Sequence, residues 1–266
     1  MKVLVCGAHG FIGRHVVHAL RSAGQVVVCG VNPSQRPTDN ERQIDFAQAC
    51  EPDRWANALS GVDAVVNAVG VLRDSRARPM RALHADAPTA LFEACARQGV
   101  RKVIHVSALG IDGNPTLYAR TKLAAEAALA SQVQAGRLDG VVLRPSIVFG
   151  QGGDSSQLFT ALAHLPWLCL PGPVIAAQVQ PIAVHELAEG IARQGMTPGQ
   201  YADAVTAGLA DPIRSCGARG CSSYATIVGL ALIWVAAILT FAQGTSTQMA
   251  VTAHLSGCFR AAQLSE

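Results

Sequence analysis

The sequence predicts an α/β protein built on a doubly wound parallel sheet, and three observations carry that expectation. Short, almost wholly apolar runs recur through the first 145 residues. Amphipathic stretches of helical length separate them, and a glycine-rich turn joins the first run to the first such stretch. Strands that are covered by helices on both faces read as continuous apolar sequence, whereas strands with one wet face alternate.

Taken in order, residues 3–6 read as a buried strand and residues 11–23 as a helix closed by Gly24, a residue that suits the left-handed backbone after a helix C-terminus. Residues 26–31 form the second strand. The order then repeats: a strand at 62–69, a helix at 79–98 ended by Gly99, and a strand at 101–107. A helix at 116–134 and a strand at 140–144 follow, the latter stopped by Pro145, which has no N–H to give to a ladder. Past residue 195 this alternation ends and the C-terminal region becomes reduced or irregular. From 201 to 266 the acidic residues thin to Asp203, Asp211 and Glu266, and residues 226–242 form an uncharged, mostly apolar run. A membrane-spanning helix needs about 20 residues. The run therefore reads as a membrane-associated helix or as a buried helix or poorly folded tail, and a truncated gene or altered reading frame would leave the same pattern.

Composition narrows the function. Hydrophobic residues make up 50% and charged residues 15% of the chain, which excludes a disordered chain and leaves room for a membrane or membrane-protein partner. The net charge of +3 comes from scattered Lys and Arg, so no basic stripe is present to neutralise a phosphate backbone and nucleic acid is not an expected partner. Eight cysteines include no CxxC pair and no His-Cys cluster at ligand spacing, so no metal is expected. Cys6 and Cys29 fall in apolar strands, and the N-terminus opens directly into the first strand without the pattern of a signal peptide. The expected location is cytoplasmic, at the inner face of a membrane if the tail associates with lipid.

The turn after the first strand reads Gly7-Ala-His-Gly10-Phe-Ile-Gly13. Gly7 permits a tight turn, Gly10 lets bare backbone approach a pyrophosphate, and Gly13 allows close packing of helix on sheet. Free N–H groups and the positive end of the helix then meet the phosphates, so Gly7, His9, Gly10, Phe11, Ile12 and Gly13 are candidate dinucleotide contacts. An NAD site usually ends its second strand with an acid for the ribose 2′-hydroxyl. Here the strand ends Val31-Asn32, and Arg36 lies close enough to reach a 2′-phosphate, which tilts the expectation slightly from NAD(H) toward NADP(H). Tyr118 and Lys122 are four residues apart on a predicted helix and so share one face. A nearby ammonium favours phenolate, which would lower the tyrosine from about 10 and let it exchange a proton with a substrate hydroxyl or carbonyl.

GxxGxxG spacing, Asp45-Phe46, Asn67-Ala68-Val69-Gly70, the YxxxK pair and Leu143-Arg-Pro145-Ser-Ile-Val-Phe-Gly150 together resemble the extended and atypical short-chain dehydrogenases/reductases. His84-Ala-Asp-Ala-Pro and Val103-Ile-His-Val-Ser107-Ala-Leu-Gly110 are most similar to the atypical branch that includes the nucleotide-binding accessory subunit of respiratory complex I and its bacterial relatives. The resemblance covers residues 1–195 and implies a Rossmann-type NAD(P)-binding domain with a partial substrate lobe, followed by an atypical tail at 196–266. It also implies that Asp45 and Phe46 contact adenine, that Asn67, Ala68, Val69 and Gly70 line the fourth strand's exit, and that Lys122 holds the nicotinamide ribose. His84 stands where relatives often have asparagine near the nicotinamide, and Pro145 leads into the substrate lobe.

Two departures matter. Active relatives place a run such as SSxxxxG after the fifth strand, where this chain offers only Ser107, as substrate orienter or cofactor contact. If the active serine belongs two places later, Leu109 occupies its position and the missing donor costs about 3 kcal/mol of transition-state stabilisation. The resemblance also fades after residue 188, within the lobe that would select a substrate. Two functions follow: an NAD(P)-dependent oxidoreductase or epimerase-like enzyme acting on an unidentified small molecule, with Tyr118, Lys122 and Ser107 as its catalytic residues, or a non-catalytic NAD(P)H-binding accessory or sensor protein.

Overall fold

The computed structural model describes residues 1–33, 40–153, 156–157 and 181–194. These fall into two compact units, 1–146 with 183–194, and 147–153 with 156–157 and 181–182. In chain order the first unit contains β1 (Lys2–Cys6), α1 (Phe11–Ser22), β2 (Val26–Val31), β3 (Glu41–Gln43), a 3-10 turn (Pro52–Trp55), α2 (Ala56–Leu59) and β4 (Ala64–Asn67). A π turn (Ala82–Asp86), α3 (Ala87–Gln98), β5 (Lys102–Val106), α4 (Leu117–Gln134) and β6 (Asp139–Leu143) follow. β7 (Val148–Phe149) pairs with β8 (Ile182–Ala183), and α5 (Val184–Gln194), in the first unit, packs on α1.

The six strands of the first unit form one sheet in the order β3-β2-β1-β4-β5-β6, and each pair is parallel, with Val5 beside Cys29 on one side and Val66 on the other. The doubly wound parallel sheet expected from the apolar runs is therefore present. Leu4, Val65 and Val103 line its core face, covered by Leu91 and Phe92 of α3 and Leu129 of α4, all buried. Each such side chain contributes about 1.5 to 3 kcal/mol when fully withdrawn from water. Cys6 and Cys29 are buried free thiols in their strands, as apolar filling requires.

Differences from the sequence reading have local causes. The strands expected at 62–69 and 101–107 pair only over Ala64–Asn67 and Lys102–Val106, because the chain turns out of the ladder once the sheet edge is reached. β3 was not expected: Glu41-Arg42-Gln43 has no apolar period and is recruited by pairing with β2. The short helical segment at 52–59 was also missed, although it drives Trp55 into the core, where its indole N–H donates to the Ala49 carbonyl at 2.9 Å. The helix expected at 79–98 widens into the π turn. Pro88 has no N–H to offer the His84 carbonyl, and the Ala87 N–H reaches back five residues to Ala82.

Among the described residues no helix is long and apolar enough to cross a membrane; the run at 226–242 lies outside them.

The tightest approach in the first unit is between α1 and the turn before it. A Cβ on Gly13 would stand 2.0 Å from the Gly7 carbonyl oxygen, so this contact admits no side chain at all. Gly13→Ala should therefore destabilise the fold by about 3 kcal/mol, read as a lower urea midpoint with unchanged slope. An unchanged midpoint would show that α1 can move away from the turn without cost.

Candidate functional site

The strand order sends successive crossovers to opposite sides of β1, and the crevice beyond β1 and β4 is where open α/β sheets receive ligands. β1 enters that crevice through Gly7–Gly13. Gly7 adopts φ +77°, a left-handed backbone that favours glycine, and its carbonyl accepts the Gly10 N–H at 2.9 Å. Cβ atoms on Gly7 and Gly10 would come within 3.2 Å of the Ala68–Val69 backbone and 3.1 Å of the Gly7 oxygen, so bare backbone faces the crevice. Gly10 caps α1 without a side-chain partner, and no acid stands in the first turn. A pyrophosphate fits this arrangement: the helix presents unclaimed N–H groups and no competing carboxylate.

The other expected adenosine-side residues are dispersed. His9 reaches away from the turn to Glu41 at 3.0 Å, tying it to the start of β3. The Phe11 ring lies under the Arg14 guanidinium, 5.7 Å from it, Ile12 is half-buried, and Asn32 is exposed at the end of β2. Arg36 falls outside the described residues. Asp45 is exposed and accepts the Ala47 N–H at 3.1 Å. Phe46 does not face the crevice: its ring is buried against Trp55, 6.1 Å between centroids, because the apolar pocket beside Trp55 takes the side chain and leaves only backbone for an adenine.

At the β4 and β5 exits the structure gathers the chemistry. Every buried polar or charged side chain of the described residues is Asn67, His84, His105, Ser107, Thr121, Lys122 or Glu126, and all except Glu126 stand on or against the exits of β4 and β5. Asn67 donates to His105 Nδ1 at 3.2 Å and accepts the Val69 N–H with its oxygen at 3.2 Å. It thereby shapes Ala68, Val69 and Gly70. Lys122 is 4% exposed, and its ammonium donates to the Val106 carbonyl at 3.0 Å. Burial pushes that ammonium down to about 8, against an upward pull from Glu126. Gly70 lies beside both groups: a Cβ there would be 3.7 Å from Lys122 Nζ and from His84 Nε2. Ser107 is buried directly after β5, its N–H bonded to the Leu143 carbonyl at 2.7 Å, and its hydroxyl has no partner among the described residues. Pro145, half-buried two residues past β6, accepts the Leu109 N–H at 2.9 Å, while the Leu109 side chain is exposed.

His84 is a clamp between two segments. It is completely buried in the π turn, where its Nε2 accepts the Val71 N–H at 2.8 Å. The ring proton therefore sits on Nδ1, facing Thr121 Oγ1 at 3.3 Å, and the Thr121 hydroxyl donates in turn to the Leu117 or Tyr118 carbonyl. The same ring meets Tyr118 edge-on at 5.3 Å. Burial, with the nearby Lys122 charge, holds His84 down to about 3, and burial does the same for His105. The Tyr118 phenol is pushed above its ordinary 10 by burial. The lowering expected from Lys122 is absent: burial is the cause that acts on the phenol.

Thr116, Thr121, Glu126 and Arg144 were not singled out by sequence. Thr116 caps α4, accepting the Ala119 N–H at 3.2 Å. Glu126 continues the Tyr118–Lys122 spacing by four residues, a signal that was available.

The sequence model of the NAD dependent epimerase/dehydratase family matches residues 3–165. The chain belongs to this family. Its fold is accordingly an NAD(H)-binding one. The chain is 27% identical over 207 residues to the rat mitochondrial NADH dehydrogenase [ubiquinone] 1 alpha subcomplex subunit 9, covering 73% of this chain and 53% of that one. It is 26% identical over 189 residues to a ceramide reductase of Caulobacter vibrioides, covering 69% and 56%. A stretch of 56 residues, 21% of the chain, is 77% identical to 25% of a CDP-diacylglycerol–glycerol-3-phosphate 3-phosphatidyltransferase of Cereibacter sphaeroides. The chain thus spans about half, or less, of the curated relatives it matches. Among solved structures, the UDP-glucose 4-epimerase of Thermus thermophilus with NAD aligns with a TM-score of 0.58 at 22% identity, over 74% of this chain and 75% of that one. A Burkholderia cenocepacia epimerase structure aligns at 0.59 and 24%, over 74% and 72%. These are likenesses of fold.

The buried histidines make the stability of this family member sensitive to acid. Between pH 6.5 and about 3 the unfolded chain binds protons at both rings that the folded chain refuses, so stability present above pH 6.5 is lost as pH falls through that window. Each ring can contribute a slope of at most about 1.4 kcal/mol per pH unit. Urea midpoints should drop more steeply between pH 7 and 5 in the wild type than in His84→Gln. Equal slopes would mean that the His84 ring is protonated in the folded protein.

Proposed function

We propose that this family member is an NAD(P)-dependent oxidoreductase or epimerase-like enzyme acting on a small molecule, with Tyr118 as acid/base, Lys122 as its electrostatic partner and ribose holder, and Ser107 as substrate orienter. The observation that carries the reading is the Ser107 hydroxyl, buried at the β5 exit with no partner among the described residues, beside the Val106 carbonyl that anchors Lys122. A buried hydroxyl without a hydrogen bond costs about 1 to 3 kcal/mol, a cost that a bound carbonyl or hydroxyl would remove. When bound, the nicotinamide supplies the hydride acceptor or donor. The chain's own part is local. Gly7, Gly10 and Gly13 seat the pyrophosphate against the start of α1, Lys122 offers its remaining N–H donors to the ribose, and Ser107 donates to the substrate oxygen. Tyr118 then gives or takes the proton at that oxygen. Its phenol stands above 10, so in the free protein it is a proton donor, suited to the reduction direction.

A second reading, a nucleotide-holding accessory protein, draws on the likeness to the complex I subunit and on the exposed Leu109 where a second donor could stand. At the adenosine end we infer a slight preference for NADP(H), supported by Val31-Asn32, which closes β2 without an acid, and by Arg36 shortly after it in sequence.

Two measurements test these roles. NADPH should bind more tightly than NADH, and Arg36→Ala should weaken NADPH alone, by about 1.5 to 3 kcal/mol; equal losses for both nucleotides remove the 2′-phosphate role. Tyr118→Phe should keep the dinucleotide dissociation constant within about tenfold while lowering single-turnover nicotinamide oxidation by about 10² to 10⁴. Lys122→Ala should damage both. A Tyr118→Phe protein as fast as wild type, or a wild type that binds tightly and oxidises nothing in a screen of quinones and small carbonyl compounds, leaves the accessory reading in place.

A further inference from the structure

Behind Lys122 lies a second layer of charge to which no motif assigns a role. Glu126 is one helical turn beyond Lys122 and two beyond Tyr118, so the three side chains share one face of α4. Its carboxylate is nearly buried, at 8% exposure. Arg144, the first residue after β6, grips it: Nε lies 3.0 Å from both carboxylate oxygens, and a terminal amino group bonds Oε2 as well. The other amino group donates to Asp112 at 2.6 Å. Backbone bonds on either side of Arg144, Ser107 N–H to Leu143 and Leu109 N–H to Pro145, tie the β5 exit to the same segment. The guanidinium, Ser107 and α4 are therefore held in one frame.

We infer that Glu126 and Arg144 are positioning residues that set the charge on Lys122, the carboxylate holding the ammonium in its protonated form and the guanidinium limiting that pull. The groups that bear on Lys122 are Glu126 and the Tyr118 phenol from α4, His84 from the π turn, His105 from β5 and the Val106 carbonyl. Both histidines are neutral, the phenol is protonated, and of these groups only Glu126 carries a negative charge. Without it, burial alone acts on the ammonium. Arg144 engages the same carboxylate and so competes with Lys122 for it, through a two-pronged contact that a lysine could not reproduce. The consequence for the nucleotide rests on the reading that Lys122 holds the ribose; the effect on Lys122 itself does not.

The chain contains three lysines, Lys2, Lys102 and Lys122, so the titration of Lys122 can be followed by nuclear magnetic resonance of isotope-labelled lysine side chains, assigned through Lys2→Arg and Lys102→Arg. Glu126→Gln should lower the Lys122 midpoint by about one pH unit, and Glu126→Asp should keep it near wild type. Arg144→Gln, which frees the carboxylate toward Lys122, should move the midpoint upward. Should Glu126→Gln fail to fold by circular dichroism, Arg144→Gln decides alone, and a midpoint that stays or falls overturns the inference. Unmoved midpoints in folded Glu126→Gln overturn it as well, since a purely structural pair would change stability without moving this titration. NADH affinity measured across the same pH range separates the two levels. Affinity that falls as pH rises through the Lys122 midpoint supports the ribose role, whereas flat affinity with a shifted midpoint sinks that role and leaves the inference standing.

Discussion

A lysine ammonium withdrawn almost completely from water carries a desolvation cost, and its surroundings are organised by that cost. Lys122 cannot hydrate, so it takes the Val106 carbonyl at the end of β5 and feels Glu126 one turn along its own helix. The two histidines that share its environment are held neutral, by burial first and by its charge second. Their neutrality permits their contacts. His84 accepts a backbone N–H and His105 accepts from Asn67 only while the accepting nitrogens are unprotonated.

From that cluster the geometry extends to the glycine turn. Asn67 bonds the Val69 N–H and shapes the segment whose backbone stands against Gly7, so the glycine turn and the buried polar cluster meet at residues 67–70. Gly13 then closes on the Gly7 carbonyl from the other side. The turn after β1 is thus held between β4 and α1, with no side chain where phosphates would approach. Pre-organisation of this kind lets backbone donors act without rearrangement when the ligand arrives.

The π turn joins both regions. Pro88 removes one donor from the helical ladder, the turn widens, and His84 stands between the loop after β4 and the stretch of α4 that carries Tyr118. A regular helix would place residue 84 on a different bearing, and the contacts to Val71 and Thr121 would be lost together. In this family member a proline two residues from the end of the π turn is therefore a determinant of the site, although its side chain touches no expected ligand.

How much of this was legible in the sequence depends on whether the information is local. Apolar runs and helical spacing disclosed the parallel sheet, GxxGxxG disclosed the tight turn after β1, and Tyr118 and Lys122 disclosed a shared helical face, because each of these follows from local patterns over a few residues. Pairings across many residues were invisible: Asn67 with His105 is 38 positions apart, His84 with Thr121 is 37, and Glu126 with Arg144 is 18. Phe46 shows the same limit in reverse, since an apolar ring near an expected adenine reads as a contact until the pocket beside Trp55 is seen to take it. Spacing alone determined which residues could act together along one element. Which of them are buried, what charge they then carry and which distant partner holds them were decided only when separate strands brought their exits to one edge of the sheet, where desolvation and hydrogen bonding act on groups the chain order keeps apart.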